Sequence, residues 1–180
     1  GTAAVAGYTA ASKADQLSVL VNNAMMTAIS NYVAQNFGAG KKDRIRLGVR
    51  ASLIQTEAFN ILMCIGILLL RHPIVELFLS NPTAEIYHYS DAFLTIEAPF
   101  YFLLGLLAVY RTSIQSMQNG RAPFAACMIE LVMRLAATVW LSRFLGYTAV
   151  CIASPLAWFG AIALLIPVYY RMMIKPVKTV

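Results

Sequence analysis

The sequence predicts an all-α membrane protein of about five transmembrane helices, and three observations predict it. Of its 180 residues, 59% are hydrophobic and only 12% are charged, and the mean hydropathy is +0.67. An ordinary globular domain carries roughly 25% charged residues, so this composition asks for lipid rather than water. The apolar residues fall into runs near the length that spans a bilayer core, roughly 20 residues each. The basic residues sit mostly between those runs, which reads as membrane topology.

The first segment, 3–37, is helical but mixed. Asp15, Asn22, Asn23, Thr27, Ser30 and Asn31 interrupt Leu17, Val19, Leu20, Val21, Met25, Met26 and Ile29. Asn23, Thr27, Ser30 and Asn31 recur at helical spacing, so they share a stripe expected to face protein or water rather than lipid. Lys13 and Asp15, near the outer end, fall on different faces and are not expected to pair. Gly38-Ala39-Gly40 stops the helix. Lys41, Lys42, Asp43, Arg44, Arg46 and Arg50 then form the densest charge cluster in the chain.

A second span covers 51–70. Its first half is polar (Ser52, Gln55, Thr56, Glu57, Asn60), as at an interface or cavity, its second half is almost purely apolar, and His72-Pro73 is expected to break it. Residues 73–92 read as one or two short amphipathic interfacial turns around Asn81-Pro82, too interrupted to span. The third span, 93–117, precedes the Gln118-Asn119-Gly120-Arg121 turn. The fourth, 123–141, starts on Pro123 in its favoured first-turn position. The fifth covers 147–170.

Orientation follows from the basic residues. Placing the 41–50 loop, Arg121 and the C-terminal tail on one side gathers nine of them there, against Arg71 and Arg143 opposite. The positive-inside rule makes that side, and the C-terminus, cytoplasmic, and the acidic 73–92 connection external. The chain starts at Gly1 in mid-pattern, with no initiator Met and no signal peptide, and the natural protein is expected to be longer upstream.

The net charge of +6 is accounted for by topology, so no nucleic-acid partner is expected. Cys64, Cys127 and Cys151 lie in apolar runs with neither disulfide nor zinc spacing, and are read as packing residues. His72 and His88 have no metal-ligand spacing and are read as water-exposed interface histidines. No metal, cofactor or enzymatic constellation is expected, because the sequence has no phosphate loop and no nucleophile–base–acid set.

Charge within hydrocarbon is costly enough to mark candidate functional residues. Glu97 near the outer end of the third span, Arg111 lower in it, and Glu130 and Arg134 at i, i+4 in the fourth are such residues. As walls of a substrate or ion pathway they would work with Asn23, Asn31, Tyr110 and Gln115. In the simpler reading Glu130 and Arg134 clamp each other, Arg111 snorkels and Glu97 reaches external water.

The stretch Val33-Ala34-Gln35-Asn36-Phe37-Gly38-Ala39-Gly40-Lys41 resembles the multidrug and toxic compound extrusion (MATE) family, in which a helix ending in such a turn recurs once per lobe. Val5-Ala6-Gly7-Tyr8-Thr9 is similar to that family's lead-in to its eighth helix. Leu77-Phe78 with Asn81-Pro82 is similar to its external interfacial segment. The run from Arg111 through Gln115 and Gly120 to Pro123 resembles its tenth-to-eleventh junction, and Glu130 with Arg134 fits a frequent Glu-x-x-x-Arg.

The resemblance covers essentially all of 1–180 as helices eight to twelve, most of the C-terminal lobe of a twelve-helix, two-lobed carrier whose N-terminal lobe is absent here. It implies an inner-membrane antiporter that exchanges Na⁺ or H⁺ for amphipathic or cationic compounds by alternating access. The alternatives are a lipid-linked oligosaccharide flippase or polysaccharide exporter of the same superfamily, or a non-transporting truncated fragment. One departure stands out. Some members carry a coupling carboxylate deep in the tenth helix, whereas residues 98–117 contain none, so coupling would rest on the absent lobe.

Overall fold

Glycine and proline decide where these helices end or bend. The computed structural model describes residues 1–79 and 82–174, apart from the side chains at 14, 15, 17 and 18, so Asp15, Asn81, Lys175 and Lys178 lie outside the described side chains. Helix α1 (Thr2–Gly38) stops in a turn in which Lys41 N donates to Asn36 O (2.8 Å) and Gly40 N to Phe37 O (3.0 Å). Gly40 adopts φ +69°, a left-handed conformation that costs glycine least, and this turn reverses the chain.

Helix α2 (Lys42–Phe78) begins inside the basic cluster, with Asp43 in its first turn against the positive helix end. It runs through Pro73, contrary to the expected break at His72-Pro73. Proline removes one backbone bond and crowds the preceding turn, but its fixed φ is helical, and Val75 just beyond it is fully buried against the bundle. The 73–92 region is therefore not a pair of interfacial turns. Its first part completes α2 and its last part opens α3 (Ala84–Glu97), where Thr83 Oγ1 accepts from Ile86 N at 3.4 Å and Glu85 occupies the first turn.

Ser90, Phe93, Leu94 and Glu97 form the buried face of α3 at helical spacing. A short 3₁₀ turn, Ala98–Phe100, forms around Pro99 and joins α3 to α4 (Tyr101–Ser116). After Gly120 come α5 (Arg121–Ala136), a π-helical turn (Ala137–Leu141) and the short α6 (Ser142–Leu145), then α7 (Tyr147–Ile174). In α7, Ala149, Ala153, Ala157 and Ala161 recur every fourth residue and are all buried. Small residues at this spacing let neighbouring helices approach closely, and α7 packs on α4 and α5.

Among the described residues four helices are long and apolar enough to cross a membrane: Lys42–Phe78, Ala84–Ser116, Arg121–Leu145 and Tyr147–Ile174. Helix α1 is not among these four, yet it packs against α2, α3 and α4 along the same bundle. Large apolar side chains such as Ile61, Leu62 and Leu69 on α2 and Leu131, Val132 and Leu135 on α5 face outward, as lipid requires and water does not. The chain is an all-α, multi-pass membrane protein. Cys151 is buried, Cys64 half-buried and Cys127 exposed on α5, none of them in a disulfide.

One end of the bundle holds the α1–α2 turn, the α4–α5 turn and the last turn of α7. Lys42 Nζ donates to Met172 O at 2.7 Å, and Asn119 Nδ2 reaches Met172 Sδ at 3.4 Å. Lys41, Lys42, Arg44, Arg46, Arg50, Arg121 and Arg171 belong to this end. At the other end Asp91 on α3 meets both His72 (2.9 Å) and Arg71 (3.6 Å) on α2, and Tyr87 donates to Glu76 at 2.7 Å. His72 is thus half of an interhelical contact as well as water-exposed.

Candidate functional site

The centre of the bundle holds a polar chain across α1, α2 and α4. Asn22 Nδ2 donates to Asn60 Oδ1 at 3.1 Å, and Asn60 Nδ2 donates to the Tyr101 carbonyl at 3.1 Å. Asn60 is 1% exposed and Thr56, one turn earlier, is fully buried. Glu57 lies between them in sequence, and its Oε1 is buried with no hydrogen-bond partner among the described residues. The three side chains crowd against Gly105: a Cβ there would lie 2.6 Å from Glu57 Oε1 and 3.1 Å from Thr56 Cγ2, and would collide with Asn60 Nδ2. Only glycine lets α4 approach so closely.

Glu57 stands six residues beyond Ala51, the first residue past the charge cluster, or about 9 Å along the helix axis. A glutamate side chain is too short to bring its charge back over that distance, and the cost of an ionised carboxylate there makes it a functional candidate. Sequence reasoning placed Thr56, Glu57 and Asn60 in a polar entry to the span and did not single them out. Their i, i+4 and i, i+3 spacing around one face was the available signal.

A second polar feature joins α4 to α5. Arg111 is ion-paired with Glu130, with side chains 32% and 16% exposed. Arg134, the expected partner, is exposed and has no ion pair among the described residues. The i, i+4 rule admits a Glu130–Arg134 pair, but α5 turns Glu130 toward α4, where Arg111 is the less solvated and stronger partner. Arg111 is therefore held by α5 rather than snorkelling.

Glu97 does not reach external water. It is 2% exposed, at the end of α3 beside the Pro99 turn, because α3 starts earlier than expected and carries this position into the bundle. Asn23, Thr27 and Asn31 lie exposed on α1, while Ser30 turns inward to bond Ser116 on α4 at 2.9 Å. Gln115 is exposed on α4. Tyr110 is 6% exposed and meets Tyr169 of α7 edge-to-face with ring centres 5.2 Å apart, so the structure does not bring it to the face that carries Asn23 and Asn31. In the family-motif turn, Gln35 contributes its carbonyl to Ala39 N at 3.1 Å while its side chain is exposed. Lys13 is exposed. No group of three His, Cys, Asp or Glu residues able to hold a metal ion occurs among the described residues.

The arrangement can hold or release charge inside an apolar bundle, through Glu57 and Glu97, and it presents polar side chains on the open face of α1. Comparison with known proteins points the same way. The MatE family profile matches residues 1–140. The chain is 21% identical over 154 residues to a FAD transporter of Shewanella oneidensis, a match covering 85% of this chain and 34% of the relative. It therefore spans about a third of that protein's length. No solved structure matches. A MatE match over residues 1–140, on a bundle of apolar helices with charged groups buried inside it, leaves one conclusion: the chain belongs to the MatE family of membrane transporters.

Proposed function

We propose that the chain is the C-terminal lobe of a secondary active exporter that exchanges Na⁺ or H⁺ for amphipathic or cationic compounds by alternating access, in the inner membrane with its C-terminus cytoplasmic. The observation that carries this reading is Glu57, a carboxylate oxygen enclosed among apolar helices without a partner among the described residues. Such a group changes its free energy sharply when it gains or loses a proton or a cation, and an ion gradient acts on a carrier through such a change. Coupling then needs no carboxylate within α4: α2 supplies one against Gly105. Helix α1 is the fifth span, and its exposed Asn23, Thr27 and Asn31 meet substrate or the other lobe across the pathway.

One observation favours a second cargo class. Arg134 lies exposed among the outward-facing Leu131, Val132 and Leu135 of α5, where hydrocarbon would not tolerate it and a phosphate-bearing cargo would be attracted to it. The FAD transporter named above handles such a molecule, and lipid-linked oligosaccharides carry the same chemistry.

The test is transport by the full-length gene product in an efflux-deficient bacterium, with Glu57→Gln, Arg111→Ala and Arg134→Ala at matched membrane expression. The exporter reading expects dye efflux that collapses with the ion gradient and is lost in Glu57→Gln. Export of FAD rather than dyes, lost in Arg134→Ala, moves the assignment to anionic cargo. Transport of neither class at good expression overturns both readings in favour of a non-transporting fragment.

A further inference from the structure

A groove of about 450 Å³ opens between α2, α4 and α7 at the end of the bundle that carries the basic cluster. Arg46 and Arg50 stand over it, Val49 and Leu53 form its apolar wall on α2, and Tyr170 and Ile174 form the opposite wall on α7. The two arginines are one helical turn apart with the buried Val49 between their levels, and Leu53 lies about 4.5 Å beyond Arg50, so this strip of α2 passes from charge to hydrocarbon. Tyr110, Tyr169 and Tyr170 stack edge-to-face along one side, with centres 5.2 and 5.5 Å apart.

The arginines differ in what already holds them. Arg46 donates to the Met173 carbonyl at 3.2 Å and lies 3.6 Å from Asp43, which places its guanidinium over the groove while half of the side chain stays exposed. Arg50 is exposed and has no hydrogen bond or ion pair among the described residues. It also stands where the charge cluster gives way to the apolar run, the depth at which phosphate headgroups meet hydrocarbon.

We propose that this groove binds an anionic phospholipid of the adjoining leaflet, with its phosphate between Arg46 and Arg50 and an acyl chain along Leu53 and the Tyr170 ring, one turn further into the bundle. Charge complementarity selects an anion, and the apolar wall beneath selects an anion with a hydrocarbon tail. A free phosphate ion would leave that wall facing nothing. Basic pockets between helices near a membrane surface recognise lipid headgroups in this way, with tyrosines at the same level. A lipid bridging α2 and α7 would brace the end of the bundle that Lys42 and Arg46 already tie together.

The test is native mass spectrometry of the full-length protein in non-ionic detergent, titrated with dioleoylphosphatidylglycerol and, separately, dioleoylphosphatidylcholine. Wild type should retain phosphatidylglycerol over phosphatidylcholine, and Arg50→Gln should weaken it roughly fivefold, the effect of one basic residue near a membrane surface. Arg44→Gln removes a charge from the same cluster outside the groove and should leave affinity unchanged. Leu53→Trp keeps every charge but fills the space under the headgroup and should also weaken binding. Equal loss in Arg44→Gln and Arg50→Gln would overturn the site in favour of diffuse attraction. Full displacement of the lipid by inorganic phosphate, or undiminished binding in Leu53→Trp, would overturn the lipid as its occupant. No preference for the anionic lipid would overturn it altogether.

Discussion

Asn60 ties three helices together, and replacing it with leucine removes that tie at nearly constant volume. Two interhelical hydrogen bonds are lost, one from Asn22 Nδ2 and one to the Tyr101 carbonyl, both 3.1 Å long. Such bonds within membranes are worth about 0.6 kcal/mol on average and about 1.7 kcal/mol at most, so the pair accounts for about 1 to 3 kcal/mol. The site is 1% exposed, so water does not replace the two lost bonds, and the loss belongs near 2 kcal/mol. The full-length protein, unfolded reversibly in mixed micelles by a denaturing detergent and followed by circular dichroism, gives that number. A double-mutant cycle with Asn22→Ala isolates the Asn22–Asn60 bond, for which a coupling of about 1 kcal/mol is expected. Coupling no larger than the roughly 0.3 to 0.5 kcal/mol scatter of independent sites would refute the bond as a link between α1 and α2.

Gly105→Ala places a methyl group against Glu57 Oε1 and the Asn60 amide, and overpacking of this kind costs about 1 to 3 kcal/mol; the same unfolding assay should show it, and an unchanged midpoint would mean that α4 does not approach α2 so closely. Arg111→Ala leaves Glu130 partly buried without its partner, at a cost of about 2 kcal/mol once partial exposure discounts the fully buried case, whereas Arg111→Glu with Glu130→Arg should recover most of it. If Glu130→Arg is instead rescued by Arg134→Glu, then Arg134 is the partner.

Most of the bundle was legible because a bilayer allows its spanning segments few forms. Long apolar runs, the Gly38-Ala39-Gly40 turn, the Gln118-Asn119-Gly120 turn and Gly146 mark three of the four connections between the expected spans, although residues 42–50, expected as loop, form the first turns of α2. The connection after α2 was not, because Pro73 reads as a stop in water-soluble helices while an apolar helix with neighbours absorbs it. Shifting that boundary moved Glu97 from an expected solvated end into the packed interior. Which face of each helix points inward was harder still. Lipid and protein interior are both apolar, so periodicity that separates core from solvent in a soluble protein says little here, and α1 shows the result. Asn22 faces α2 while Asn23, one residue on, faces outward, and only the exposed one had been singled out.

That adjacency bears on how an ion site could drive transport. Helix α1 carries Asn22 toward the buried chain and Asn23, Thr27 and Asn31 on its open face, so one rigid element joins the neighbourhood of Glu57 to the polar surface proposed to meet substrate. Helix α4 makes a second such link, with Gly105 against Glu57 at one level and Arg111 and Gln115 further along. An ion bound or released at Glu57 changes the electrostatics beside both helices at once, and packed helices answer by moving between discrete arrangements rather than by deforming gradually. Under the proposed exchange mechanism, Asn60→Leu should therefore uncouple more than it unfolds. With Glu57 intact but α1 no longer tied to α2 through Asn60, the ion would still bind while the gradient would drive less export. Efflux and ion affinity measured on the same Asn60→Leu preparation decide the point, and parallel losses in both would place Asn60 within the ion site rather than between that site and the substrate face.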